Sequence, residues 1–142
     1  MIQILTGIQN TSAALDAEQT RMNVISENIA NANTSRGLDG KPYQRQVVMF
    51  ETALQQAMNS SGGVLTPALH VARIEKDPRA PLQIYDPGNP QADKSGMVAM
   101  PNINIHEEMA DLISASRSFE ANLAVVKNAR SMALQTLAIG RH

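Results

Sequence analysis

The segment nearest to a catalytic signature is His106-Glu107-Glu108-Met109-Ala110. On a helix, the pattern HExxH sets two imidazoles one turn apart on a zinc ion, with the glutamate as general base. Here Ala110 stands where the second histidine would be, and one imidazole cannot assemble a metal site. The bland reading is a solvated first helical turn, where the helix dipole favours acids. His70 falls in a strand-like run and His142 is the final residue; neither has a ligand-type neighbour at useful spacing. There is no cysteine, which removes thiolate nucleophiles, disulfides and cysteine metal sites together. No GxxxxGK[ST], GxGxxG or GxSxG pattern offers a phosphate cradle or a nucleophile elbow. Three Asn-x-Ser/Thr matches, at Asn10, Asn33 and Asn59, are short enough to arise by chance. No reaction can be written for this chain, so no cofactor, metal or small-molecule substrate is expected.

What remains is interaction chemistry. In Ser26-Glu27-Asn28-Ile29-Ala30-Asn31-Ala32-Asn33-Thr34 three asparagines crowd into six residues. Asparagine is a poor helix former because its amide competes for backbone hydrogen bonds. Such a cluster serves either the ending of a helix or contacts with neighbouring chains, and spacing alone leaves both open.

The elements that must carry this cluster follow from where the breakers fall. All seven prolines lie between Pro42 and Pro101, and six of the eight glycines between Gly37 and Gly96. Two breaker-poor ends therefore flank a breaker-rich middle, dividing the chain into 1–35, 36–100 and 101–142. In the first segment Ile8, Leu15, Met22 and Ile29 recur every seven residues, with Ile4, Thr11, Glu18, Ile25 and Ala32 as the partner line. In the last, Ile105, Leu112, Phe119, Val126 and Ala133 form one line, and Met109, Ser116, Leu123, Arg130 and Leu137 the other. Each pattern is a helix with a narrow apolar stripe. Asn31, Asn33, Thr34 and Gly37 mark the end of the first; Asn104, with Glu107 three residues on, caps the second, and Gly140 stops it. At ~1.5 Å per residue the helices would be roughly 45 and 50 Å long, against a compact radius of gyration of about 15 Å for a chain this size. The molecule is expected to be elongated.

The middle reads as short strands at Tyr43–Phe50, Leu69–Glu75 and Leu82–Tyr85. Phe50, Ala53, Leu54, Ala57 and Met58 have helical spacing and suggest a short helix between strands. Residues Asn59–Gly63 read as a flexible loop and Asp86–Pro90 as a turn. The fold class expected is mainly α: two long terminal helices forming an antiparallel coiled-coil hairpin, with a small β-rich middle.

Composition agrees with narrow seams. Four aromatics and no Trp leave little for a wide core, whereas eight Met and many Ala, Ile, Leu and Val suit helix interfaces. Twelve basic and thirteen acidic residues give a net charge of −1, with no block of like charge to suggest nucleic acid or an anionic membrane. No apolar run approaches the ~18 residues of a membrane span, and Met1–Asn10 lacks the basic and apolar regions of a cleavable secretory signal.

The asparagine cluster, followed by Tyr43-Gln-Arg-Gln46, resembles the signature shared by bacterial flagellar rod and hook proteins. Tyr85-Asp-Pro-Gly88, Ala92-Asp93, Gly96, Pro101-Asn102, Glu107-Glu108-Met109, Ser114–Arg117, Phe119–Asn122 and Ile139-Gly140-Arg141 are similar to the proximal rod members of that family. Asn89 and Met97 depart from the pattern, where histidine and an aromatic are usual. The resemblance implies a structural, non-enzymatic subunit leaving the cytoplasm through the flagellar type III export apparatus without signal cleavage. It implies assembly in the periplasm with copies of itself, other rod proteins and the adaptor joining rod to motor ring, forming a shaft that transmits torque. The assembly motif would be Ser26, Asn28, Ile29, Ala30, Asn31, Asn33 and Thr34. A coiled-coil adaptor or scaffold of another secretion machine is the alternative.

Two further expectations concern the helices. Placing Ile25 opposite Leu123 brings Glu18 opposite Arg130, where the charges either pair and fix register or reach solvent or another subunit. Leu5, Val24, Ile113, Val125 and Leu134 lie off both lines of their helices, and an isolated hairpin would leave them partly wet.

Overall fold

The computed structural model describes residues 2–37, 39–54 and 67–139. Helix α1 spans Ile2–Ala30 and helix α2 spans Ile105–Ile139. Between them lie strands β1 (Gln46–Leu54), β2 (Pro67–Lys76), β3 (Leu82–Tyr85) and β4 (Met97–Met100). The loop expected at 59–63, the positions Ala57 and Met58, the stop at Gly140 and the side chains of Ile4 and Leu5 lie outside the described residues.

Helix α1 tolerates its many Ser and Thr residues because their hydroxyls bond back one turn. Thr11, Thr20 and Ser26 donate to the carbonyls of Gly7, Asp16 and Met22 at 2.8–2.9 Å, which satisfies them without opening the helix. Asn31 ends it: both its backbone N–H and its side-chain amide donate to Glu27 O, at 3.0 and 2.9 Å. That carbonyl is thereby saturated, and the chain tightens into a turn, with Ala32 N donating to Ile29 O and Thr34 N to Asn31 O. At the start of α2, Asn104 Oδ1 accepts from His106 N at 3.1 Å, and Asn104 Nδ2 donates to Glu107 Oε1 at 3.1 Å. The cap is closed between two side chains, a variant of the expected box.

The strands form two separate antiparallel pairs. In β1–β2, Gln46 faces Lys76 and Leu54 faces Pro67, with a register shift between Met49 and Phe50. In β3–β4, Leu82 faces Met100 and Tyr85 faces Met97. The short helix expected from Phe50 onward is corrected: Phe50, Ala53 and Leu54 belong to β1, because pairing with β2 satisfies their backbone whatever their apolar spacing. The turn before β4 is built on Asp93, whose carboxylate accepts from Ser95 N at 2.7 Å and Met97 N at 3.0 Å. Gly96 there has φ +77°, and a Cβ would come within 3.0 Å of the Tyr85 ring and 3.2 Å of Pro87, so glycine is required twice over.

Helix α1 is the element packed against α2, β1 and β2. Its buried residues are Ala17, Val24, Ile25 and Asn28, with Ala32 in the turn that follows; those of α2 are Glu108 and Ala115, and β4 adds Val98. Ala17 and Ala115 are almost fully enclosed, and two methyl-sized side chains let helices approach closely. Leu15, Met22, Ile29, Leu112, Phe119, Leu123 and Val126 are half-buried along the same contact. On α2 the first expected line is half-buried from Leu112 to Ala133 with Ile105 exposed, and on the second Leu123 is half-buried. Met109 and Leu137 are exposed, and the inner partner line is Glu108, Ala115, Asn122 and Ala129, one residue earlier. Val24 is likewise corrected from partly wet to buried, while Ile113, Val125 and Leu134 remain more than half exposed.

Candidate functional site: a buried polar junction

The two largest fully buried side chains are both polar, Asn28 and Glu108. Burying them is tolerable only if every polar atom is satisfied, and here the partners come from three elements. Asn28 sits in the last full turn of α1, directed inward. Its Oδ1 accepts from Gln46 N at 2.9 Å and Tyr43 OH at 3.1 Å. Its Nδ2 donates to Gln46 O at 2.8 Å and to Glu108 Oε2 at 3.0 Å. One amide thus reads both backbone groups of Gln46, as a neighbouring strand would, and fastens the start of β1 to the end of α1.

Glu108, in the first turn of α2, gives its other oxygen to Arg45. Arg45 Nη2 lies 2.6 Å and Nε 2.7 Å from Glu108 Oε1. The opposite edge of the guanidinium reaches Asp77, just past β2, with Nη1 3.4 Å from Oδ2. Asp77 in turn holds Arg79, whose Nε and Nη2 lie 2.9 and 2.8 Å from Oδ2 and whose N–H donates to Oδ1 at 3.0 Å. These hydrogen bonds from Arg79 lower the Asp77 carboxyl to a pKa of about 2. Burial, with the Glu27 carboxylate next, pushes the Tyr43 phenol up. Tyr43 N also donates to Thr34 O at 3.0 Å, tying the turn after α1 to the strand that follows.

Chemically this junction is closed. Both oxygens of Glu108 and both ends of the Asn28 amide have hydrogen-bond partners within the chain. Among the described residues no cluster of three His, Asp or Glu side chains is placed to hold a metal ion, and no helix is long and apolar enough to cross a membrane. The arrangement can hold segments in place.

The asparagine cluster therefore divides. Asn31 finishes the helix, with Thr34 Oγ1 donating to its Oδ1 at 3.2 Å; Asn33 is exposed; Asn28 is buried and bonds within its own chain. Ile29 is half-buried, and Ser26 and Ala30 are exposed. Among the seam residues, Ile25 is buried and Ile8 and Leu15 half-buried, whereas Ile105 is exposed. Glu18 and Arg130 are not brought together. Arg21 lies 3.9 Å from both Glu18 and Asp111, and Arg130 is exposed. With Asn28 on Glu108 and Arg21 beside Asp111, position 18 lies roughly three to four turns from Arg130 along α2. Glu18 Oε2 is buried with no hydrogen-bond partner among the described residues. Arg45, Asp77 and Glu108 were not legible as a unit. Their one trace is Glu108 standing seven residues before Ala115, an acid where a seam residue belongs.

The family model for flagella basal body rod proteins matches residues 8–36, and that for the C-terminal part of the flagellar basal body rod FlgEFG proteins matches 94–139. The flagellar basal-body rod protein FlgC of Yersinia enterocolitica is 40% identical over 129 residues, covering 91% of this chain and 92% of its own. Its namesake from Borreliella burgdorferi is 40% identical over 148 positions, covering 96% and 97%. That of Bacillus subtilis is 34% identical, covering 92% and 94%.

Proposed function

Because the chain belongs to the family of flagellar basal-body rod proteins FlgC, we propose that it is a structural subunit of the bacterial flagellar rod. The observation that carries this reading is the meeting of Asn28, the Tyr43–Gln46 segment and Glu108 in one saturated junction. The segments that resemble the family are thus the ones that build the fold, and what they build holds rather than reacts. The role is mechanical, with no turnover: lateral contacts that resist shear.

The finer reading follows the same line. The terminal helices pair as an antiparallel coiled coil, with residues 1–35 and 101–142 forming the inner part of the assembly and 36–100 the outer. The remaining assembly-motif positions, Ser26, Ala30 and Asn33, are exposed and face neighbouring subunits. Copies of the chain and other rod proteins cover the apolar surface of α2. The chain reaches the periplasm through the flagellar export apparatus, its N-terminal segment uncleaved, and joins the shaft near the motor ring.

Imaging of purified basal bodies tests this. Density for the chain within a hollow helical rod supports the reading, and a discrete small oligomer in its place would favour a scaffold of another secretion machine. Removing residues 1–10, scored separately for export and for incorporation, divides the two roles expected of the N-terminal segment.

A further inference from the structure

The β1–β2 hairpin packs on α1 through both of its strands. Among the side chains described in β1 and β2 none is buried; Val47, Val48 and Val71 are half-buried, and Met49, Phe50 and Ile74 are exposed. Apolar contact of that kind is non-directional. The polar contacts at its root are directional. Asp77 N donates to Arg45 O at 2.8 Å and Gln44 Nε2 to Asp77 O at 2.7 Å, so the chain segments entering β1 and leaving β2 are pinned together. Four charges then alternate outward, Glu108, Arg45, Asp77 and Arg79, from a side chain 1% exposed to one 46% exposed. Arg45 is the member that grips two elements at once: α2 through Glu108 and the end of β2 through Asp77.

We propose that Arg45 is a positioning residue that fixes the orientation of the β1–β2 hairpin against the helix pair. A buried ion pair adds little stability over an apolar filler of equal volume, whereas a planar guanidinium bound on two edges permits one direction. The purpose rests on the rod-subunit reading, since a subunit that transmits torque needs its outer part set rigidly on its helices, but the geometry stands without it.

The chain has no cysteine, so nitroxide labels on Glu51→Cys in β1 and Glu120→Cys in α2 of the full-length protein report one distance. Pulsed dipolar spectroscopy should give a single narrow distribution in the labelled parent. In Arg45→Lys, whose one ammonium cannot bridge both carboxylates, the single peak should be lost while the thermal transition stays cooperative. The pair Arg45→Met with Glu108→Gln should show the same loss with a melting temperature near the parent's. A peak as narrow as the parent's in Arg45→Lys overturns the proposal whatever the double variant does. So does a broad distribution in the parent, or loss of cooperative folding in Arg45→Lys, because the residue would then hold the fold and not its direction. The measurement uses the isolated chain; a fixed hairpin in a chain that never enters basal bodies would sink the rod reading alone.

Discussion

Asn28 shows how much one side chain can be asked to do. Its amide supplies donors to Gln46 O and Glu108 and an acceptor to Gln46 N and Tyr43 OH, so its chemistry is fixed at both ends. Asn28→Asp keeps the shape but turns the donor end into a second acceptor facing the Glu108 carboxylate. It should cost about 3 kcal/mol, by lost hydrogen bonds and a buried like-charge contact, read as a lower urea midpoint. Asp77 supplies a pH dependence of definite sign. Its folded pKa of about 2 lies below the unfolded value of about 3.9, so its contribution is complete above that value and is lost as pH falls toward 2. The stability gap between the parent and Asp77→Asn should therefore be open at pH 5 and closed near pH 2 in parallel urea titrations. The asparagine cluster was visible in the sequence as an anomaly, but its division of labour was not. Asn28 and Asn31 are three residues apart on a helix, and only the packing of β1 against one of them separates a lock from a cap.

Among the elements, the helices and most strand segments were legible because breakers and heptad spacing are local properties of the chain. The second seam line of α2 was not. Its members are Glu108, Ala115, Asn122 and Ala129, an acid, an amide and two alanines, whereas Met109 and Leu137 look apolar and lie outside. A count of apolar residues cannot see a seam made narrow by small side chains, nor one that begins with a satisfied carboxylate. The helix register was misplaced for the same reason, since Ile25 was set opposite Leu123, which brought Glu18 to Arg130, while Asn28 and Glu108 set the alignment. The enclosed pair Ala17 and Ala115 makes this testable. Ala115→Leu, favourable by apolarity and helix propensity, should destabilise the chain by about 1–3 kcal/mol through overpacking, measured by thermal and chemical unfolding. The short helix expected near Phe50 failed differently: positions 50, 53 and 54 suit either period, and strand pairing decided between them.

At the scale of the whole molecule the two helices present different outer faces. The exposed positions of α1 are polar where Ser12, Asp16, Gln19 and Asn23 follow one another. Helix α2 exposes Ile113, Val125, Met132, Leu134, Leu137 and Ile139, each more than half accessible. These six positions are spread around the helix, and apolar surface of that extent is surface awaiting neighbours. Leu134→Glu should leave the isolated chain's stability within about 0.5 kcal/mol, as is usual for surface positions, yet abolish incorporation into basal bodies. Equal stability with normal incorporation would remove α2 from the proposed contacts.

The closure of the hairpin at its root has one more consequence. Arg45 and Asp77 hold the incoming and outgoing segments together, so the two ends of the hairpin meet α2 as one unit and a pull on either is shared by both.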